Sequence, residues 1–467
     1  MSVQRFLDLV GSNLSSPQIL EQILIVNIES GDLRVLQEDL RSRIKADDAI
    51  SKLVESRNFF SGDWPGFVEF IITYLKFVRD LSSSDIENSY PLLEKLFNDL
   101  QVAYGNRQGA ILTPVVRNVA TVVTNTAIYL DSVAGDTAMN QLGRINEVSI
   151  ILLKIFNSIR GERYSPDQEL LSKKDVILYI STLLCRTYFR LNQPTACANV
   201  FSNIHTAHIV FSNYPRSQRV TFRYYLGRFY FLRQELARAR KHLLWAFDNC
   251  LSSSTNNQRA ILTYLIPTSL LLGIGTRPEL YLVAGDTLKE IFGPLETALK
   301  GGDIYAYNAH LIKYFDWFIS KKMFVILRSK GAIILLRNLF RRISQLTATK
   351  PEEPGKKRPN DLSFDSLLLG IKLSTRSYNS IVAAQSGTPA SADEPAVFPF
   401  NIPEMQWRYD DVENACISLT DQGFLKANIY ARSRLVRLMP SGGFRALSEV
   451  GALRSALSGD DEAWMDR

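Results

Sequence analysis

Apolar residues recur at three- and four-residue steps through the first three quarters of the chain, the spacing that lines one face of an α-helix. In FVEFIITYLKFV, the residues Phe67, Phe70, Ile71, Tyr74, Leu75 and Val78 fall on a single stripe. The same spacing predicts helices over Tyr90 to Tyr104, Pro114 to Leu130, Ile145 to Arg160 and Asp175 to Leu191. Alternation of the strand kind is absent before residue 420. The pattern therefore predicts an all-α protein over most of its length.

One pair of helices carries a repeat signature. Leu226-Gly227, then Tyr230, then Ala239, Leu243 and Ala246 follow the L-G-x2-Y and A-x3-large-apolar pattern of a tetratricopeptide hairpin. Gly227 lets the second helix come close, Tyr230 fills the wedge, and the two alanines keep the crossing tight. The preceding pair, Asp175 to Leu191 and Thr195 to Thr206 around a turn at Asn192-Gln193-Pro194, has similar dimensions, so a right-handed helical solenoid is expected.

The pattern changes after residue 347. TATKPEEPGKKRPND is rich in proline and charge and reads as a linker. Leu362 to Leu373 reads as a short helix, followed by a Ser-, Ala- and Pro-rich insertion over about 374–399 whose composition predicts disorder. Asp410-Asp411 then caps a helix through Thr420, and Gly423 ends it. FLKANIY and SRLVRLM alternate as two strands around a turn at Ala431-Arg432. Helix, helix, hairpin is the order of a winged helix. The expected fold is thus a TPR-like helical-repeat solenoid ending in a C-terminal winged helix. Its expected parts are N-terminal repeats over 1–170, a TPR-like part over 171–347, linker and winged helix over 348–443, and a C-terminal helix with an acidic tail over 444–467.

Composition adds what the pattern lacks. The chain has 467 residues, is 46% hydrophobic and 22% charged, and has a formal net charge of +7. That charge is unevenly placed. Residues 216–245 carry a net +7 and 321–360 a net +9, while the remainder is net −9. Localised charge of one sign points to an acidic partner, either nucleic acid or an acidic protein. The four cysteines are far apart without a C-x-x-C, which fits a reducing compartment. No secretory signal is read at the N-terminus. The most apolar run, Ala260 to Gly275, holds Pro267 and is shorter than the roughly 20 residues that span a bilayer, so no membrane partner is expected.

Candidate chemistry follows the charge. In the first stretch Arg219, Arg223, Arg228 and Arg233 interleave with Phe222, Tyr224, Tyr225, Phe229, Tyr230 and Phe231. Such a mixture could stack on unpaired bases, but the repeat already uses these aromatics for packing, which leaves the arginines as a solvated face that an acidic protein can meet. The second stretch places Arg337, Arg341 and Arg342 on one helix, with Arg337 and Arg341 read as sharing an exposed edge. It ends in Lys356-Lys357-Arg358, a tip suited to phosphate contact or nuclear import; phosphate binding and plain solvation both remain open here. On the hairpin, Lys426, Arg432, Arg434 and Arg437 form a basic wing that can lie along a phosphate backbone. The acidic start of the neighbouring helix, Asp410-Asp411-Val412-Glu413, opposes base reading in a major groove. His205-x2-His208 with Cys197 lacks a fourth ligand, so no metal site is expected. Glycine-rich phosphate loops, nucleophile elbows and paired acid motifs are missing, and neither an enzyme nor a cofactor is expected.

The block YPRSQRVTFRYYLGR (Tyr214 to Arg228) resembles a signature of the PCI family, named for its occurrence in the proteasome lid, the signalosome and a translation initiation factor. DVENACI (Asp411 to Ile417) and GFLKANI (Gly423 to Ile429) resemble the same branch. That branch holds the PCI subunit of a nuclear transcription-and-mRNA-export complex and a signalosome-associated relative. Resemblance is best over about 100–440. It implies a non-catalytic nuclear subunit, with the nuclear pore as a location. Such a subunit pairs its winged helix with that of a larger PCI scaffold subunit of the GANP type and is held by a small acidic protein of the Sem/DSS kind. The joined winged helices then present a basic surface to RNA or DNA without sequence readout. The alternative is a structural scaffold subunit of a signalosome-associated or splicing-linked complex that binds no nucleic acid itself.

Overall fold

The computed structural model describes residues 1–26, 31–44, 46–82, 85–134, 143–162, 172–207, 209–347, 361–375, 407–440, 442–450 and 462–466. The linker over 348–360 and the insertion from 376 onward lie outside the described residues. Contacts divide the chain into two units, Met1–Tyr225 with Asp461–Arg467, and Leu226–Asp460.

The first unit is helical throughout its described residues. Its helices are α1 (Val3–Ser12), α2 (Pro17–Ile23), α3 (Gly31–Arg43), α4 (Asp47–Glu55), α5 (Pro65–Asp80), α6 (Ile86–Gly105), α7 (Thr113–Val133), α8 (Gly143–Arg160), α9 (Ile177–Arg190), α10 (Cys197–Thr206) and the first half of α11 (Arg216–Leu232). The stripe read from α5 is buried, with Phe67, Phe70, Ile71 and Leu75 all at 0% exposure. Local signals set the ends: Pro65 opens α5, and the Asp85 side chain caps α6 by accepting from the Asn88 N–H at 3.1 Å. The far end of α6 is closed from a distance. Buried Lys173 donates to the carbonyls of Tyr104 at 2.7 Å and Asn106 at 2.8 Å, satisfying acceptors that a helix C-terminus leaves open.

The second unit continues with α12 (Leu236–Asn249), α13 (Thr255–Leu271), α14 (Pro278–Ala284), α15 (Asp286–Gly301), α16 (Ile304–Lys313), α17 (Phe315–Ser320), α18 (Phe324–Thr347), α19 (Phe364–Ser374) and α20 (Tyr409–Asp421). The repeat signature is realised as read. Ala239, Leu243 and Ala246 are fully buried, Tyr230 stacks on His242 at 5.7 Å, and Gly227 faces Leu243. No helix among the described residues is long and apolar enough to cross a membrane.

A three-stranded antiparallel sheet completes this unit, with β1 (Asp361–Ser363), β2 (Ala427–Tyr430) and β3 (Leu435–Leu438) in the order β1-β3-β2. The hairpin was expected, whereas β1 takes Leu362 and Ser363 from the start of the helix read over Leu362 to Leu373, which begins at Phe364. Three residues with one buried position, Leu362, are too few to display an alternation. The sheet, α19, α20 and the second half of α18 share one core built on Phe340, Phe364, Leu367, Ile371, Val412, Cys416, Leu419 and Val436. Its elements follow the helix, helix, hairpin order read from the sequence, with β1 added at the sheet edge. The α20 cap also differs in detail: Arg408 occupies the cap position, and the Asp411 carboxylate accepts from its N–H at 2.8 Å.

A Cβ placed on Gly227 would lie 2.6 Å from Leu243 Cγ and 2.9 Å from Cδ2. The Gly227→Val variant is therefore expected to lose about 1–3 kcal/mol through overpacking, measured as a lower urea midpoint with an unchanged slope.

Candidate nucleic-acid interface

The wing is an exposed turn between β2 and β3, and the strand register decides which of its charges are available. Asp361 of β1 stands opposite Arg437 of β3. Its two carboxylate oxygens accept from Arg437 Nε at 2.8 Å and Nη2 at 3.0 Å, a bidentate pair. The guanidinium holds the Asp361 carboxyl below its ordinary value, and the carboxylate pushes Arg437 up. The lowered carboxyl keeps the pair formed above the ordinary carboxylate range, and it opens only as pH falls through the depressed value.

Arg434 is held differently. Its backbone is left-handed at φ 51°, and its guanidinium carbon lies 4.0 Å from the centroid of the Tyr409 ring. The Tyr409 hydroxyl donates to Asp365 Oδ1 at 2.6 Å, and that carboxylate raises the phenol's pKa. Arg432 is exposed at the turn and makes no ion pair among the described residues. Lys426 is half-buried, with its backbone N–H donating to the Gly443 carbonyl at 2.7 Å. The structure thus brings the four wing residues onto one small sheet. Asp361, which partly neutralises them, sat in sequence at the edge of a stretch read as linker.

The helix α18 departs from its reading. Arg341 and Arg342 are exposed, and Arg342 Nη1 donates to the Gly301 carbonyl at 3.3 Å. Arg337 is not on their edge; it is 4% exposed and donates to Asn338 Oδ1 at 2.8 Å and to the Arg445 carbonyl. Burial, with the Arg341 charge adding to it, pushes its pKa down to about 10. Lys356, Lys357 and Arg358 lie outside the described residues.

The arginines of the first stretch fall in both units. In the first unit Arg219 is half-buried, whereas Arg223 is 1% exposed and donates to the Met465 carbonyl at 2.9 Å and to Asp466 Oδ1. Arg223 is therefore no part of a solvated face. In the second unit Arg228 lies 4.7 Å from the Tyr264 ring centroid, and Arg233 pairs with Glu235 at 2.9 Å. Arg238 shares that Glu235 at 3.1 Å.

Sequence reasoning did not anticipate that the two basic stretches adjoin in the second unit. Arg228 depresses the pKa of Lys322, after burial as the larger cause. Arg238 and Lys330 line the same cleft of about 220 Å³, whose apolar wall includes Leu236, Ile333, Ile334, Phe424 and Leu447. Nothing in the spacing of residues 228 and 322 could announce this.

Among the described residues no group of three or more His, Cys, Asp or Glu is placed to hold a metal ion. His208 lies outside them. Cys197 is buried beside Cys185, whose thiol is pushed up first by burial and then by that neighbour.

No family model matches the chain. A PCI domain-containing protein of Schizosaccharomyces pombe is 28% identical over 463 residues, covering 96% of each sequence. The nuclear mRNA export protein THP1 of Saccharomyces cerevisiae is 24% identical over 377 residues, 78% of each. A CSN12 homolog of Neurospora crassa is 31% identical over 229 residues, 48% of this chain and 49% of that relative.

The burial of Arg337 separates it from its neighbours. Arg337→Ala is expected to cost about 2–4 kcal/mol through lost packing and stranded acceptors, against about 0.5 kcal/mol or less for Arg341→Ala and Arg342→Ala. Urea unfolding of the three variants checks it.

Proposed function

We propose that this PCI-domain protein is a non-catalytic scaffold subunit of a nuclear mRNA-export complex, located in the nucleus and at the nuclear pore. In this reading its winged helix pairs with that of a larger PCI scaffold subunit of the GANP type, and a small acidic protein of the Sem/DSS kind binds the helical repeats. RNA or DNA backbone is then held jointly by the paired winged helices. The supporting observation is a basic wing on a winged-helix core in a chain that aligns with the export protein THP1 over 78% of both sequences.

The wing's internal pairing favours shared over solitary binding. Arg437 faces Asp361 and Arg434 lies on Tyr409, which leaves Arg432 and Lys426 as the wing cations without such an engagement among the described residues. Two cations neutralise few phosphates, and affinity grows with each one neutralised. A partner wing would add the remainder. Exposed Arg341 and Arg342 are further candidate phosphate contacts, as by their sequence are Lys356, Lys357 and Arg358.

The similarity to a CSN12 homolog supports a second reading, a scaffold subunit of a signalosome-associated or splicing-linked complex that binds no nucleic acid. Co-purification with mass spectrometry separates the two by partner identity.

Reversing charge at Arg432, Arg434 and Arg437 is expected to weaken single-stranded RNA binding by the assembled complex while leaving assembly intact. Unchanged affinity at low salt would overturn the nucleic-acid role. Conversely, Asp361→Asn releases Arg437 and is expected to strengthen binding, steepening the slope of log affinity against log salt by about 0.7 for one added phosphate. Fluorescence polarisation across a salt series reads both.

A further inference from the structure

The last residues of the chain are seated on the first unit. Residues 463–465 form a short 3-10 turn, with Glu462 buried just before it and Met465 buried at its end. The Trp464 ring meets Phe211 edge-on at 5.7 Å and lies 5.9 Å from the His205 ring. Two oxygens then converge on one nitrogen: Arg223 Nη2 donates to the Met465 carbonyl at 2.9 Å and to the Asp466 carboxylate. The receiving surface is contiguous in sequence. Phe211 rests on Phe222, Phe222 meets Phe201 edge-on, and the Arg223 guanidinium lies 5.6 Å from the Phe211 ring. The occupant comes from about 240 residues further along.

What is recognised here is a linear motif. One indole packs on an aromatic shelf, and one main-chain carbonyl and one carboxylate two residues after the indole meet a buried arginine. A guanidinium at 1% exposure needs an acceptor of this kind, because an unpaired buried charge is strongly disfavoured. Charge favours an acidic occupant as well. In sequence, residues 460–466 carry Asp460, Asp461, Glu462 and Asp466, and the first turns of α11 carry Arg216, Arg219 and Arg223, of which Arg223 meets the tail.

We propose that this groove on Phe211, Phe222 and Arg223 is a docking site for acidic, tryptophan-bearing peptides, occupied in cis by the chain's own C-terminal segment. A tethered segment presents itself at an effective concentration in the millimolar range. A partner peptide of the same chemistry therefore binds weakly while the tail is seated and tightly once it leaves. The tail thus sets the threshold a partner must exceed. The choice of an acidic partner rests on the reading that the helical repeats bind a small acidic protein, whereas occupancy by the tail is independent of it, and failure of either leaves nucleic-acid binding by the wing standing.

The test uses a fluorescein-labelled synthetic peptide with the sequence of residues 460–467 and three proteins: the full chain, the chain ending at Gly459, and the full-length Trp464→Ala variant. Polarisation is expected to find that the truncated chain binds the peptide, with the full chain about tenfold weaker or more. Trp464→Ala is expected to behave like the truncation. Peptides carrying the Trp464→Ala or Asp466→Asn change should lose binding to the truncated chain. Equal binding by the full and truncated chains would overturn cis occupancy. Absence of binding by a truncated chain that still melts cooperatively would overturn the docking site. Should truncation unfold the protein, Trp464→Ala decides: a folded variant that ignores the peptide overturns the proposal.

Discussion

A guanidinium taken out of water must find acceptors, and in both units those acceptors come from late in the sequence. Arg223 of the first unit bonds the Met465 carbonyl, and Arg337 of the second bonds the Arg445 carbonyl. Each arginine sits on a helix face that is otherwise apolar, and it is enclosed only when the downstream segment lies over it. The helical hairpins can form from local periodicity, but the burial of these two side chains waits on contacts across 108 and 242 residues. Contacts of that sequence separation close slowly compared with helix pairing. The C-terminal residues are in this sense structural for elements laid down long before them.

The same economy of acceptors governs the wing. Without β1, Arg437 would project from the hairpin as an unpaired cation; with β1 in register, Asp361 stands opposite it and takes both of its forward donors. The Tyr409 ring lies between Arg434 and Asp365, accepting the cation on its face and donating its hydroxyl to the carboxylate. Neither arrangement is buried, so each holds its arginine by geometry and charge and not by exclusion of water. The wing is thereby positioned before any phosphate arrives, at the cost of part of its charge.

Much of this was legible in the chain. The three- and four-residue spacing in α5 predicted a stripe that is fully buried, the L-G-x2-Y block predicted a crossing that Gly227 and Leu243 make, and the alternation in FLKANIY and SRLVRLM predicted β2 and β3. The buried arginines were readable too, had spacing been weighed above side-chain type. Arg337 is three residues from both Ile334 and Phe340, and Arg223 is three from both Val220 and Leu226, so each lies on its helix's apolar stripe. Other features had no local trace. A three-residue strand is shorter than the period needed to recognise it, and the pairing of β1 with β3 depends on residues 76 positions apart. The seat of Trp464 on Phe211 depends on residues at opposite ends of more than half the chain.

Formal charge counted by segment therefore overstates the field that the protein presents. Within 216–245, Arg223 is buried against a carboxylate, Arg233 and Arg238 share Glu235, and Arg228 and Arg238 lie over the rings of Tyr264 and Tyr230. Within 321–360, Arg337 is enclosed. Charges further apart than about 8–10 Å act nearly independently at physiological salt, so a sum over forty residues carries little meaning by itself. Convergence matters more. Arg228 beside Lys322, and Arg238 with Lys330 on one cleft, put cations of both stretches within screening distance of one another. At the cleft that Arg238 and Lys330 share, the apolar wall lowers the local dielectric and lets fewer charges do more.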